Sequence, residues 1–237
     1  MESFADNFAF LAGVPSVVGL VLAAAIILVT SDWRLALSAL LLQYIFLGIT
    51  LTRFIQPEAA LVRILTGVLV VPILYLSARQ VGEPHNVRAV EAGEGRFLGL
   101  PMSWAAGPLG LPLRVLTVFL AGLALIRFYP AYATLLPPEG ASGLAVTPDV
   151  AFVTLWLVVM GIMGVILSGE ALRVGPAVLT ILCGFDLVYA GLEQNLAIAG
   201  FFGALTLLAA LAFSYLAAVQ GLAPRVSPID REEEEAR

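Results

Sequence analysis

One carboxylate lies deep inside an apolar run of this sequence. Asp186 falls within residues 174–192, roughly three residues past the midpoint, and the helical rise places it about 4–5 Å from the centre of a spanning helix. Tyr189 and Glu193 follow at positions i+3 and i+7, on the same helical face. This spacing predicts a short proton path with Asp186, Tyr189 and Glu193 as candidate members. The alternative is that a neutral Asp186 joins two helices through one hydrogen bond, and the sequence favours neither reading.

Other polar residues also lie in apolar runs. Arg63 stands about one turn into the third run, and Arg127 lies beside an aromatic cluster in the fourth, so we expect both to snorkel to the headgroups. Arg63 is also a candidate, with Gln43 and Tyr44 of the second run, for polar contacts between helices. Pro72 frees a backbone carbonyl inside the third run and predicts a helix kink there.

The residue inventory excludes several kinds of chemistry. All 12 basic residues are arginine, so Schiff-base and Walker-type phosphate sites are excluded. Cys183 is the only cysteine and His85 the only histidine, which is too few for a metal site. The apolar runs contain no Ser/His, Cys/His, paired-aspartate or HExxH set. We therefore expect no catalytic residues, no metal and no cofactor held by this chain.

The amino-acid composition indicates which class of protein carries these residues. Of 237 residues, 60% are apolar and only 12% are charged, and the mean hydropathy is +0.99. Soluble domains carry about 25% charged residues. The net charge of −5, with scattered arginines, also excludes a nucleic-acid-binding protein. The composition indicates a polytopic membrane protein, and we expect the lipid bilayer to be one of its partners.

Seven apolar runs are long enough to cross a bilayer as helices, which takes roughly 20 residues each. The predicted fold is therefore an all-α, polytopic helical bundle with about seven transmembrane helices. It forms one domain over residues 1–219, followed by an acidic cytoplasmic tail at 220–237. The acidic start of the chain predicts that the first run is not a cleaved signal peptide. The runs are approximately 11–30, 34–52, 59–78, 113–133, 150–168, 174–192 and 196–219.

Arginine distribution predicts the orientation of the bundle. With the N-terminus outside, nine arginines fall on the inner side and three on the outer side. This bias favours an N-out, C-in arrangement. Short connections and an arginine-only basic inventory fit a multi-pass protein of the cell inner (plasma) membrane.

Two stretches resemble known membrane subunits. Residues 65–74 (LTGVLVVPIL), followed by SAR at 77–79, resemble the E-type membrane subunit of multi-subunit membrane hydrogenases. Residues 160–164 (MGIMG) and 182–187 (LCGFDL) are similar to the K-type membrane subunit of complex I, the NADH–quinone oxidoreductase. In this resemblance Asp186 occupies the position of the proton-path glutamate. The chain departs from the pattern in carrying Asp for Glu, Gly67 in place of an intramembrane lysine, and no acid in its last run.

The resemblance implies an accessory membrane-arm subunit of a redox-driven proton or cation pump. Such a subunit packs against antiporter-like subunits and carries no redox cofactor, and proton translocation would run through its intramembrane carboxylate. Two alternatives remain at this stage. One is a stand-alone small transporter or channel, and the other is a structural or assembly membrane protein.

Overall fold

The computed structural model describes residues 13–53, 57–81, 96–97, 100–101, 110–133, 148–168, 171–192 and 196–222. Seven helices and one small hairpin lie in these ranges. The strands β1 (Arg96–Phe97) and β2 (Leu100–Pro101) pair antiparallel. The helices are α1 (Val14–Val29), α2 (Trp33–Leu51), α3 (Pro57–Val81), α4 (Gly110–Ala133), α5 (Pro148–Ile166), α6 (Ala171–Leu192) and α7 (Leu196–Leu222).

Six of the seven helices in the described ranges are long and apolar enough to cross a membrane, which confirms a polytopic helical membrane protein. The exception is α1, which has 16 residues and begins after Gly13, with Pro15 in its first turn. Its length of about 24 Å falls short of the roughly 30 Å hydrocarbon layer. The expected first run began at residue 11, and residues 11 and 12 lie outside the described ranges.

The helices form two rows with α4 at one end. In the first row α2 packs between α1 and α3, and in the second row α6 packs between α5 and α7. The rows meet through the pairs α1–α5, α2–α6 and α3–α7, while α4 contacts α1 and α5. Fully or almost fully buried side chains line the contact of α2 with α6, and they include Leu40, Leu47, Leu179 and Leu187.

Hydrogen bonds at the helix ends define two opposite faces of the bundle. At one face, Arg114 donates to the carbonyl oxygens of Leu28 in α1, of Thr30 just after α1 and of Leu167 just after α5. We call this face the Arg114 end. At the other face, Arg53 after α2 pairs with Asp149 of α5 at 3.0 Å, and we call it the Arg53 end. The arginine distribution predicts that the Arg114 end is cytoplasmic.

Large apolar side chains cover the outside of the bundle. Phe119 and Ile126 of α4 and Leu208 of α7 are each more than 60% exposed. Isolated exposed apolar residues are ordinary in soluble proteins, but these belong to helices that are apolar on all sides. The outer faces are therefore surfaces for lipid.

Glycine permits close approach of α5 and α6. A Cβ atom built on Gly161 of α5 would lie 2.7 Å from the carbonyl oxygen of Ala177 and 3.0 Å from the backbone nitrogen of Ile181. Both atoms belong to the backbone of α6, so neither can move aside without shifting the helix. At Gly200 of α7, in contrast, nothing lies within 4 Å of such an atom.

We predict opposite effects of the same substitution at these two glycines. Gly161→Ala forces α5 and α6 apart and lowers the free energy of unfolding by about 1–3 kcal/mol. Gly200→Ala removes a helix-weakening glycine without a clash and raises it by up to about 1 kcal/mol. Thermal unfolding of both variants in detergent checks this. Equal effects at the two positions would contradict the close α5–α6 contact.

Candidate functional site

Asp186 of α6 forms an ion pair with Arg63 of α3 inside the bundle, through Oδ1 and Nη2. The two side chains are only 8% and 4% exposed. The expectation that Arg63 snorkels to the headgroups is therefore wrong. Because α3 begins at Pro57, Arg63 lies six residues, or about 9 Å, inside the helix. A carboxylate on a neighbouring helix meets it there.

Side chains and backbone of α7 complete the surroundings of Arg63. The guanidinium carbon lies 5.7 Å from the centre of the Phe202 ring, within the range of a cation–π contact. A Cβ atom on Gly203 would lie 3.8 Å from Arg63 Nη1 and 3.2 Å from Thr66 Oγ1, so the glycine leaves room for both side chains. Arg63 Nε is buried with no hydrogen-bond partner among the described residues.

A second group of polar side chains lies on α2 and α6, beside the ion pair. Gln43 and Tyr44 of α2 are almost completely buried. Cys183 of α6 lies beside both of them, and Tyr44 also interacts with Asp186. Within the described part of the chain, Gln43 Nε2 and Tyr44 Oη form no hydrogen bond of ordinary geometry, although the Tyr44 hydroxyl lies near Cys183 and near Thr206 of α7. Unpaired buried polar atoms are rare in proteins, and each one calls for an explanation such as bound water or a functional role.

Thr180 connects this group of polar side chains to the first half of α6, toward the Arg114 end. Its hydroxyl lies 2.8 Å from the carbonyl oxygen of Pro176 and 3.4 Å from Gln43 Oε1. Thr180, Cys183 and Asp186 follow one another at a spacing of three residues, which places them along one face of the helix. We call Thr180, Gln43, Cys183, Tyr44, Asp186 and Arg63 the polar cluster.

The structure brings some of the predicted site residues together and separates others. Asp186, Arg63, Gln43 and Tyr44 belong to the polar cluster, whereas Tyr189 is 45% exposed and its ring packs 5.1 Å from that of Phe202. Glu193 lies outside the described residues, so the path from Asp186 to Glu193 stays a prediction.

Two further predictions concern residues away from the cluster. Arg127 is exposed on α4, as expected for a side chain that can reach the headgroups. Pro72 lies on an exposed side of α3, and the helix continues through it to Val81. Neither residue contributes to the polar cluster.

Thr180 and Cys183 were not among the site residues predicted from the sequence. The available signal was their positions six and three residues before Asp186, which extend a polar line toward the start of α6 rather than toward its end. The pairing of Asp186 with Arg63 had no local signal, because the two residues are 123 positions apart in the sequence.

Binding and releasing a proton is the main chemistry that the residues of the polar cluster can perform. Asp186 is the group able to change charge by taking up a proton, because an arginine side chain stays protonated in proteins. Tyr44 supplies a hydroxyl that can donate or accept a hydrogen bond. Among the described residues no three His, Cys, Asp or Glu side chains form a group able to hold a metal ion.

No family model matches the chain, and the searches of curated proteins and of solved structures found no significant similarity either. The chemistry of the site therefore has to be argued from its own residues.

We predict an asymmetric response to breaking the buried ion pair. Asp186→Leu leaves a permanent positive charge on Arg63 and lowers the free energy of unfolding by about 3–5 kcal/mol. Arg63→Met costs less, because the remaining carboxyl can become neutral by binding a proton. The double variant recovers most of the loss, since no unpaired charge remains. Thermal unfolding in lipid nanodiscs measures all three.

The exposed pair at the Arg53 end provides a matched control. Arg53→Met removes a cation from a salt bridge that is partly exposed, so it changes the free energy of unfolding by less than about 1 kcal/mol. A loss at Asp186→Leu no larger than this would contradict a buried charge pair.

Proposed function

We propose that this chain is an accessory membrane-arm subunit of a redox-driven proton or cation pump of the complex I-like or hydrogenase-like kind. In this role it resides in the cell inner membrane and packs against antiporter-like subunits. It holds no redox cofactor of its own. The observation that carries the proposal is the buried Arg63–Asp186 pair, together with the unpaired polar atoms beside it.

Stability alone is a poor explanation for such a pair. A buried salt bridge is often no more stabilising than apolar residues of the same volume, because both charges lose their hydration. Between membrane helices, a hydrogen bond contributes only about 0.6 kcal/mol on average. Ionisable residues at this depth therefore mark ion or proton pathways more often than structural ties.

Binding of a proton to Asp186 changes the net charge of the Arg63–Asp186 pair inside the membrane. With Asp186 ionised, the carboxylate and the Arg63 guanidinium together carry no net charge. A proton on Asp186 converts the carboxylate to a carboxyl group and leaves a net charge of one on the pair. In a low-dielectric interior this change acts over longer distances than in water, so charged groups of a neighbouring subunit can respond to it.

Exposed surface on α4 and α7 supports a role within a larger assembly. In the described part of the chain, α4 packs mainly against α1 and α5 and leaves most of its apolar surface open. Tyr215 of α7 is 70% exposed. These faces fit either lipid or the helices of another subunit. The resemblance of residues 160–164 and 182–187 to a K-type subunit favours the second occupant.

We predict that the tagged chain, extracted from its native membrane in mild detergent, brings antiporter-like and iron–sulfur subunits with it. Mass spectrometry of the recovered proteins provides the measurement. Recovery of the chain alone, or only as a homo-oligomer, would contradict the proposal. That result would favour a stand-alone transporter.

In the assembled complex, we predict that Asp186→Asn abolishes most proton translocation while the subunits still assemble. The amide keeps the shape of the side chain but cannot exchange a proton. Asp149→Asn, at the exposed Arg53 end, is the control and leaves translocation unchanged. Proton uptake by membrane vesicles during electron transfer measures both variants. Normal translocation by Asp186→Asn would remove Asp186 from the path.

A further inference from the structure

A small cavity opens at the Arg114 end between α1, α2, α4, α5 and α6. Its volume is about 20 Å³. A site of at least about 10–15 Å³ with polar partners can hold a water molecule. Its lining combines apolar side chains such as Leu28 and Met160 with the polar residues Ser31, Asp32, Ser168 and Arg173, and Arg114 also borders it. Thr180 is the lining residue of α6 that lies farthest along the helix from the Arg114 end.

Polar side chains continue from the cavity to the ion pair. Thr180 lies nine residues after Ala171, at a depth of about 13 Å along α6, and Asp186 lies about 9 Å farther. Gln43, Cys183 and Tyr44 fill the interval. The unpaired Gln43 Nε2 and Tyr44 Oη are in this interval, where they can bond to water that enters from the cavity.

Among the described residues, the shorter route from Asp186 to the Arg53 end is lined mainly by apolar side chains. Asp186 lies six residues, about 9 Å, from the end of α6 at Leu192. The buried side chains on that side include Leu47, Leu51, Ala60, Leu187 and Ala190, and the buried hydroxyl of Thr154 on α5 lies at about the depth of Asp186. The one buried hydroxyl there among the described residues of α2, Thr50, bonds to the carbonyl oxygen of Phe46 in its own helix. Phe202 covers the guanidinium of Arg63.

We propose that Asp186 exchanges protons with one side of the membrane only, through the cavity at the Arg114 end and the line Thr180–Gln43–Cys183–Tyr44. The apolar side chains that the described residues place at the Arg53 end close the opposite route, so this proposal replaces the predicted path from Asp186 through Tyr189 to Glu193. In the described structure, the ionisable groups facing Asp186 are Arg63 of α3, Tyr44 of α2 and Cys183 of α6 itself. This inference rests on the proposed function and adds to it the side of the membrane from which protons reach Asp186.

The native cysteine provides a direct test, because it is the only one in the chain and lies on the line. Full-length protein is kept in sealed native membrane vesicles of both orientations, identified by a tag on the C-terminal tail. Ag⁺ is added outside in chloride-free buffer, then quenched, and the remaining free Cys183 is counted by maleimide labelling after denaturation. We expect Ag⁺ from the Arg114 end to react about tenfold faster or more than Ag⁺ from the Arg53 end.

Two threonines form a matched pair of variants. Thr180 and Thr50 are both buried, and each hydroxyl lies 2.8 Å from the carbonyl oxygen four residues earlier. Thr180→Val removes one polar step from the line and slows the reaction of Cys183 from the Arg114 end about tenfold. Thr50→Val removes a hydroxyl from the apolar side and leaves the rate unchanged. Size-exclusion profiles verify that both variants are folded.

Equal reaction rates from both sides, faster reaction from the Arg53 end, or no reaction from either side would each overturn the one-sided inlet. An unchanged rate in a folded Thr180→Val variant would also overturn it. If that variant does not fold, Gln43→Leu replaces it, with the same slower rate expected. These results do not depend on which proteins are recovered with the chain, so failure of the inlet and failure of the subunit proposal are distinguishable.

Discussion

The cost of placing charge inside a membrane shapes the centre of this protein. Arg63 cannot lose its charge there, so it needs a negative partner and enough space close to it. Asp186 provides the charge from α6, and the long Arg63 side chain reaches it diagonally across the two rows of helices. The glycine at position 203 and the ring of Phe202 then let α7 pack directly against the guanidinium. The Arg63–Asp186 ion pair thus brings together side chains of three helices, α3, α6 and α7.

Packing around α2 follows the same constraint. The Tyr44 side chain lies against Gly67 of α3, where a Cβ atom has no room, so the phenol ring is held between the two rows of helices. This position brings its hydroxyl close to Cys183 of α6 and Thr206 of α7. Gln43 is buried next to it and meets Thr180 of α6. Close helix contacts through glycine therefore gather the polar groups on one side of the ion pair.

The sequence predicted the class of fold well, because length and hydropathy alone decide which segments can cross a bilayer. The sequence also identified Asp186 as a carboxylate deep inside an apolar run and so as a candidate functional residue. It did not predict that Arg63 is the partner, since apolar runs give little information on which helices are neighbours. A third run that begins at residue 59 predicts Arg63 near the headgroups, whereas α3 begins two residues earlier and places Arg63 deeper in the bundle. The roles of Thr180 and Cys183 became visible only from the contact of α2 with α6.

In the proposed role, Asp186 exchanges a proton inside the membrane. Infrared difference spectroscopy of the chain in lipid bilayers, recorded as the pH is stepped, tests this directly. We expect a carboxyl stretching band that appears and disappears reversibly with pH and is absent in Asp186→Asn. A spectrum with no pH-dependent carboxyl band assignable to Asp186 would contradict it and would leave the Arg63–Asp186 pair as a fixed tie between two helices.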